Sequence, residues 1–159
     1  MKVDSLKKLI RYCPKSGKLF WLVSRGRMAA GQEAGHKTAN GYVVVNIGGR
    51  SCKGHRIAWA LMTGEWPTER IDHKDRNGQN NRWKNLRLAS HSQNIANSRR
   101  RRDNTSGIRG VYSFQGKWMV IITHEGVRHY LGLFKKKRDA AQARRAAAQK
   151  LYGQFYNEG

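Results

Sequence analysis

Asp72 and His73 stand side by side in the stretch IDHKDRNGQNNRWKNL, with Asn85 and Asn94 following 12 and 21 residues after the histidine. A neutral imidazole, with a reference pKa of about 6.5, can take a proton from water near neutral pH. Neighbouring residues of an extended chain point to opposite faces, so Asp72 cannot share that task with His73. A carboxylate joined by an amide oxygen is instead hard-cation chemistry, because Mg²⁺ accepts one or two protein oxygens and keeps waters and phosphate oxygens for the rest. Asn94, presented from a helix start, is the natural second ligand. Asn85 would then hold the His73 ring through its other nitrogen, as a buried carboxylate does in hydrolytic triads. An activated water beside a phosphate-binding cation is what phosphodiester hydrolysis needs. Taken singly, an Asp-His pair is an incidental surface feature and an asparagine-rich stretch is a turn. Four such positions in one pattern weigh against that reading.

The rest of the chain fits an anionic substrate. Lys and Arg number 32 against 10 Asp and Glu, a net charge of +22 with a pI near 10.9. Such an imbalance self-repels unless an anion is close, and nucleic acid is the expected partner. A membrane-surface protein would need an amphipathic helix with large apolar residues opposite its charges, and none is evident. The start, MKVDSLKKLIRY, lacks the apolar core of a secretory signal, and no stretch approaches the roughly eighteen apolar residues of a span, so a soluble, cytoplasmic chain is expected. Cys13 and Cys52 form neither a CxxC knuckle nor a disulfide framework, and free thiols are expected. Residues 1–54 carry +9, residues 55–98 only +3 and residues 99–159 +10. Basic flanks would grip phosphates while the middle keeps acids for a cation.

The elements that must position these residues follow from periodicity and punctuation. Asp4 can cap a short helix bearing Leu6, Leu9 and Ile10, and CPKSG turns the chain into a strand at KLFWLV. YVVVNI and the stretch around Cys52 form a hairpin across Gly48 and Gly49, and HRIAWALMTG reads as a buried helix closed by Gly64. The polar stretch after His73 is a loop between a strand ending there and a short strand at Leu86 to Leu88. Ser90 with Gln93 three residues on is a capping box, which places Asn94 in a first helical turn. RRRRD followed by NTSG is a linker. Three strands around GVYSF, KWMVIIT and RHYLGLF then precede a helix in which Ala140, Ala143, Ala147 and Leu151 recur at helical spacing. Trp118, Val120 and Ile122 share the strand face that suits packing under that helix, and Met119, Ile121 and Thr123 share the other.

The order D-H, N-N-R-x-x-N-L and S-x-N, with HRIAWALMTGEWP upstream, resembles the HNH endonucleases, specifically the phage and intron-encoded homing type. The resemblance implies a ββα-metal core with His73 as general base, Asn85 orienting it, and Asp72 and Asn94 holding one Mg²⁺ or Mn²⁺. Asn80 and Asn81 match that family's paired asparagines and would brace the loop. His55 is histidine in the same lead-in and is taken as structural.

Residues 106 to 152 resemble the Apetala, or ethylene-response-factor, type of DNA-binding domain, through R-G-V at 109–111, G-K-W at 116–118 and R-H-Y-L-G-L-F at 128–134. That resemblance implies a three-stranded sheet entering the major groove of double-stranded DNA. The matched positions Arg109, Tyr112, Lys117, Arg128 and Tyr130 are the implied contacts, and Phe114 is a lesser candidate. Tyr112 and Thr123 stand where arginines would read bases, so the plant pattern of sequence reading does not carry over. Arg99, Arg100, Arg101 and Arg102 would track the phosphate backbone without reading bases.

The expected fold class is therefore α+β. A basic module at 1–54 precedes a ββα-metal core at 55–98, a linker at 99–105, and a three-stranded antiparallel sheet on one helix at 106–159. The expected function is metal-dependent DNA hydrolysis leaving 5′-phosphate and 3′-hydroxyl ends. No membrane or obligate protein partner is implied, and monomer and dimer stay open. The alternative is a DNA-binding protein whose core is silent, with a structured-RNA binder a more distant option.

Overall fold

The computed structural model describes residues 1–100 and 102–158. The chain forms two compact units, Met1–Leu88 and Ala89–Gly159.

In the first unit, helix α1 (Val3–Leu9) buries Leu6 and runs directly into strand β1 (Ile10–Cys13). This strand pairs antiparallel with β2 (Lys18–Trp21), Ile10 opposite Trp21 and Cys13 opposite Lys18. It was not among the expected strands, because four residues abutting a helix show no readable alternation. Strands β3 (His36–Lys37), β4 (Val43–Ile47) and β5 (Arg50–Lys53) form a sheet in that order, with Gly48 and Gly49 turning β4 into β5 as expected. Helix α2 (Gly54–Thr63) ends at Gly64, whose φ of 83° is left-handed.

Two faces of α2 are buried. Ile57 and Ala60 pack with Leu6, Ile10, Leu19 and Val45, while Ala58 packs with Ile71 and Leu86. The second cluster fastens strands β6 (Arg70–His73) and β7 (Leu86–Ala89), which pair in a two-stranded sheet. The boundary expected at residue 54 therefore falls at the first residue of a helix whose two apolar faces join what lies on either side of it.

In the second unit, helix α3 (His91–Asn97) opens with the expected capping box. Gln93 N–H donates to the Ser90 hydroxyl, and Ser90 N–H donates to the Gln93 side chain at 2.8 Å. The Ser90 hydroxyl also donates to the Glu125 carboxylate, and Glu125 N–H donates to the Ser92 hydroxyl, which ties the start of α3 to the turn at residues 125–126. Strands β8 (Val111–Phe114), β9 (Lys117–His124) and β10 (Val127–Phe134) form an antiparallel sheet in the order β10-β9-β8. Helix α4 (Lys137–Tyr152) covers one face, with Ala140 against Val111 and Val120, and Ala148 against Ile122.

The alternation along β9 is as expected, with Val120 and Ile122 buried. The stripe on α4 is rotated: Ala140, Arg144, Ala148 and Tyr152 are its buried residues, whereas Ala143 is half-buried. An inward arginine is invisible to apolar periodicity, so the sequence drew the stripe through alanines beside it.

Candidate functional site

The loop from 74 to 85 is built around one carboxylate. Asn77 N–H and the Asn85 amide donate to Asp75 Oδ1, each at 2.9 Å, and the Asn80 amide donates to Oδ2 at 2.6 Å. Burial pushes the Asp75 carboxyl up, but these donors together hold it below its ordinary value. Asn85 is spent on this loop. Its Oδ1 accepts from Asp75 N–H, and its amide also donates to the Asn80 carbonyl at 2.7 Å.

The histidine has a different partner. His73 is buried at the end of β6, and its Nε2 lies 2.9 Å from Asn81 Oδ1. With the amide oxygen as acceptor, Nε2 carries the proton and donates it, which leaves Nδ1 as the basic nitrogen. The ring contact that the sequence assigned to Asn85 is thus made by Asn81, and Asn85 is a loop brace. The two exchange roles because eleven residues of folded loop, rather than an extended chain, separate His73 from Asn85.

Asn81 is itself caged, at 2% exposure. The Tyr12 hydroxyl of β1 donates to its carbonyl at 2.6 Å, and burial, with Cys13 next in effect, raises that phenol to about 12. Gly17, at φ 77°, lies so close that a Cβ there would sit 2.6 Å from the Asn81 carbonyl carbon and 2.5 Å from Arg82 N. The N-terminal hairpin thereby sets the position of the residue that holds the histidine. Asn81→Ala is expected to cost about 1–3 kcal/mol in urea unfolding, since it leaves a buried imidazole N–H unsatisfied.

His55 and Tyr42 complete the wall. The His55 ring meets His73 edge-on with centroids 5.0 Å apart, and Tyr42 lies 5.6 Å from His55 and 6.1 Å from His73. Burial, reinforced by the His73, Lys53 and Arg56 charges, pulls His55 down to about 3. It stays neutral throughout the working range. The unfolded chain takes up a proton near 6.5 that the folded chain refuses, so no penalty exists above that pH. Stability is expected to fall as pH drops from about 6.5 toward 3, by up to about 1.4 kcal/mol per pH unit. Thermal melts across this window check it: replacing His55 with Gln should flatten the slope.

Asp72, the residue before His73 on β6, is engaged by β7. Arg87 Nε and Nη2 each approach Asp72 Oδ2 at 2.8 Å, with both side chains largely buried. The carboxylate offers the hard oxygen chemistry that Mg²⁺ or Mn²⁺ takes, in competition with that guanidinium. Among the described residues no three His, Cys, Asp or Glu side chains gather as a closed metal site. The donor set suits an open site with few protein ligands rather than a structural zinc site. Asn94 lies in the first turn of α3, half-buried, in the second unit.

Residues 52–96 match the HNH endonuclease family. That span runs from β5 through the Asp72–His73 pair and the asparagine loop to α3, so Asp72, His73, Asn81, Asn85 and Asn94 lie inside the match. An uncharacterized HNH endonuclease of Acanthamoeba polyphaga mimivirus is 30% identical over 103 residues, which cover 64% of this chain. Those residues are 54% of that relative, so the chain spans about half its length. No solved structure matches the chain significantly.

The DNA-contact candidates divide. Tyr112, Lys117, Arg128 and Tyr130 are exposed. Register puts Tyr112 opposite Met119, Tyr130 opposite Ile121 and Arg128 opposite Thr123, which gathers all four on the sheet face away from α4. Arg109 differs. Its guanidinium donates to the carbonyls of Ile95 and Ala96 at 2.8 and 2.9 Å and to that of Ser98, closing the C-terminus of α3. Arg109 is therefore a helix cap in this structure, where the resemblance implied a DNA contact. Arg99, Arg100 and Arg102 are exposed, with Arg100 donating to the Gly107 carbonyl, and Arg101 lies outside the described residues.

Sequence reasoning missed Tyr12, Arg87 and the ring-holding role of Asn81. Arg87 alternates with Leu86 and Leu88 on a strand facing β6, a signal that could have placed it opposite an acid. Tyr12 carries no such signal, since 69 residues separate it from its partner.

Proposed function

We propose that the chain is a divalent-metal-dependent DNA endonuclease of the homing type, in which His73 takes the proton of the attacking water. The supporting observation is the hydrogen bond between His73 Nε2 and the buried Asn81 amide oxygen, which puts the proton on Nε2 inside a segment that matches the HNH endonucleases. Asp72 and Asn94 would hold one Mg²⁺ or Mn²⁺. A bound cation supplies charge neutralisation at the phosphate and the departing oxygen, consistent with 5′-phosphate and 3′-hydroxyl ends.

Asn81 keeps the ring from turning, and Asn85 with Asp75 keeps the loop from collapsing onto it. The exposed face bearing Tyr112, Lys117, Arg128 and Tyr130 would lie against the DNA as an Apetala-type sheet. Arg99, Arg100, Arg101 and Arg102 add phosphate contacts without base information. One site attacks one strand, so a monomer nicks. A double-strand break takes a dimer or two events. The setting is the cytoplasm of a host cell, as for a mobile-element enzyme.

The Asp72–Arg87 ion pair favours one rival, a DNA-binding protein with a silent centre, because a carboxylate committed to arginine needs no metal. Supercoiled plasmid incubated with Mg²⁺ or Mn²⁺, with and without chelator, separates the two. Metal-dependent conversion to open circles supports the enzyme, and binding without conversion on any plasmid containing a cognate site supports the rival.

A further inference from the structure

Helix α4 carries a cation that its packing does not explain. Arg144 sits between Ala140 and Ala148 on the buried stripe at 7% exposure, and its Nε and Nη1 are enclosed without a hydrogen-bond partner. Among the described residues no carboxylate pairs with it. Burial lowers its pKa below the ordinary arginine value, and the ionisable neighbours that offset this are the phenols of Tyr152, Tyr156 and Tyr112. A buried, unpartnered guanidinium is among the least favourable arrangements in a protein interior, and each such group calls for a reason.

The surroundings supply one. Arg144 lines a cavity of about 280 Å³ together with Arg109, Arg145, Tyr156 and Asn157. The backbone yields to it at Gly110, where φ is 71° and a Cβ would stand 2.9 Å from Arg144 Nε and 2.3 Å from the Ile121 carbonyl. Two of the three arginines are already occupied. Arg109 caps α3, and Arg145 pairs with Glu158, the one acid among the described residues of the cavity wall, at 2.5 Å. Arg144 Nε and Nη1 are the enclosed donors left without a partner, and excess positive charge in a walled concavity attracts an oxyanion.

We propose that this cavity is a phosphoryl-binding site, with Arg144 as its fixed cation and Tyr156 and Asn157 as flanking polar groups. Guanidinium and phosphate form strong charge-assisted hydrogen bonds, and a phosphate oxygen would satisfy what the protein leaves open. The phosphoryl group is a nucleic-acid backbone phosphate or free phosphate, and either serves whether or not the chain cuts DNA.

Two measurements on the full chain decide it. Inorganic phosphate is titrated at constant ionic strength while the Arg144 Nε resonance is followed by NMR. Binding of a short DNA duplex is measured against salt for the wild type and Arg144→Met. For a backbone phosphate, the variant loses about tenfold in duplex affinity and its log–log salt slope falls by roughly 0.9. For free phosphate, the Nε resonance shifts saturably in the wild type while duplex affinity holds. The proposal is overturned if phosphate leaves that resonance unmoved and both duplex affinity and salt slope match in the two proteins. Should Arg144→Met fail to fold, the resonance and a phosphate-competition titration of the wild-type duplex complex give the same decision.

Discussion

His73→Ala is expected to cut metal-dependent plasmid nicking by about 10²- to 10⁴-fold, the range that a positioned general base contributes. The imidazole is placed for this by two neighbours acting differently. Asn81 fixes the proton on Nε2, and the edge-on His55 ring, held neutral by burial, fills the space beside it without adding charge. The expected loss lies in kcat, because an alanine removes the proposed proton acceptor and leaves the β8–β10 sheet, the proposed DNA-contact surface, unchanged. Duplex affinity in chelator should match the wild type, which separates a lost base from a lost grip. His73→Ala that cuts as fast as the wild type would remove His73 from the chemistry and leave water activation to another group.

What was legible in the sequence follows from how local each signal is. Ser90 and Gln93 announced a capping box because both partners lie within one turn, and the structure forms both of its bonds. The alternation of Val120 and Ile122 is equally local, and both are buried. The loop asparagines were legible as a group but not as individuals. Asn81 and Asn85 have the same chemistry, and only the path of the loop turns one toward His73 and the other toward Asp75. Arg109 was read as a DNA contact and Arg144 was not singled out, since an arginine inside a stripe or capping a distant helix breaks no sequence rule that marks it. Tyr12 belongs to the same class: its bond to the Asn81 carbonyl joins segments 69 residues apart, and α2 packs against the β1–β2 hairpin on one face and the β6–β7 sheet on another.

Arg87→Met turns the ion pair at Asp72 into a test of the metal. Both contacts fall on Oδ2 at 2.8 Å, and the two side chains are 12% and 7% exposed, so the pair is screened little by solvent. Methionine keeps much of the arginine stem but deprives a buried carboxylate of its guanidinium. The apo variant is expected to lose about 3–5 kcal/mol in chemical unfolding. A divalent cation that takes the same oxygen should reverse this by mass action, returning about 2.7 kcal/mol at a free concentration one hundred times its Kd. The wild type must release Arg87 before its carboxylate can serve, so Mn²⁺ should raise its Tm less than that of the variant. Asp72→Asn removes the donor charge and should respond to Mn²⁺ least of the three. If Mn²⁺ fails to restore Arg87→Met while EDTA and Mn²⁺ melts coincide, Asp72 is a structural partner of Arg87 alone and the centre must find its cation elsewhere.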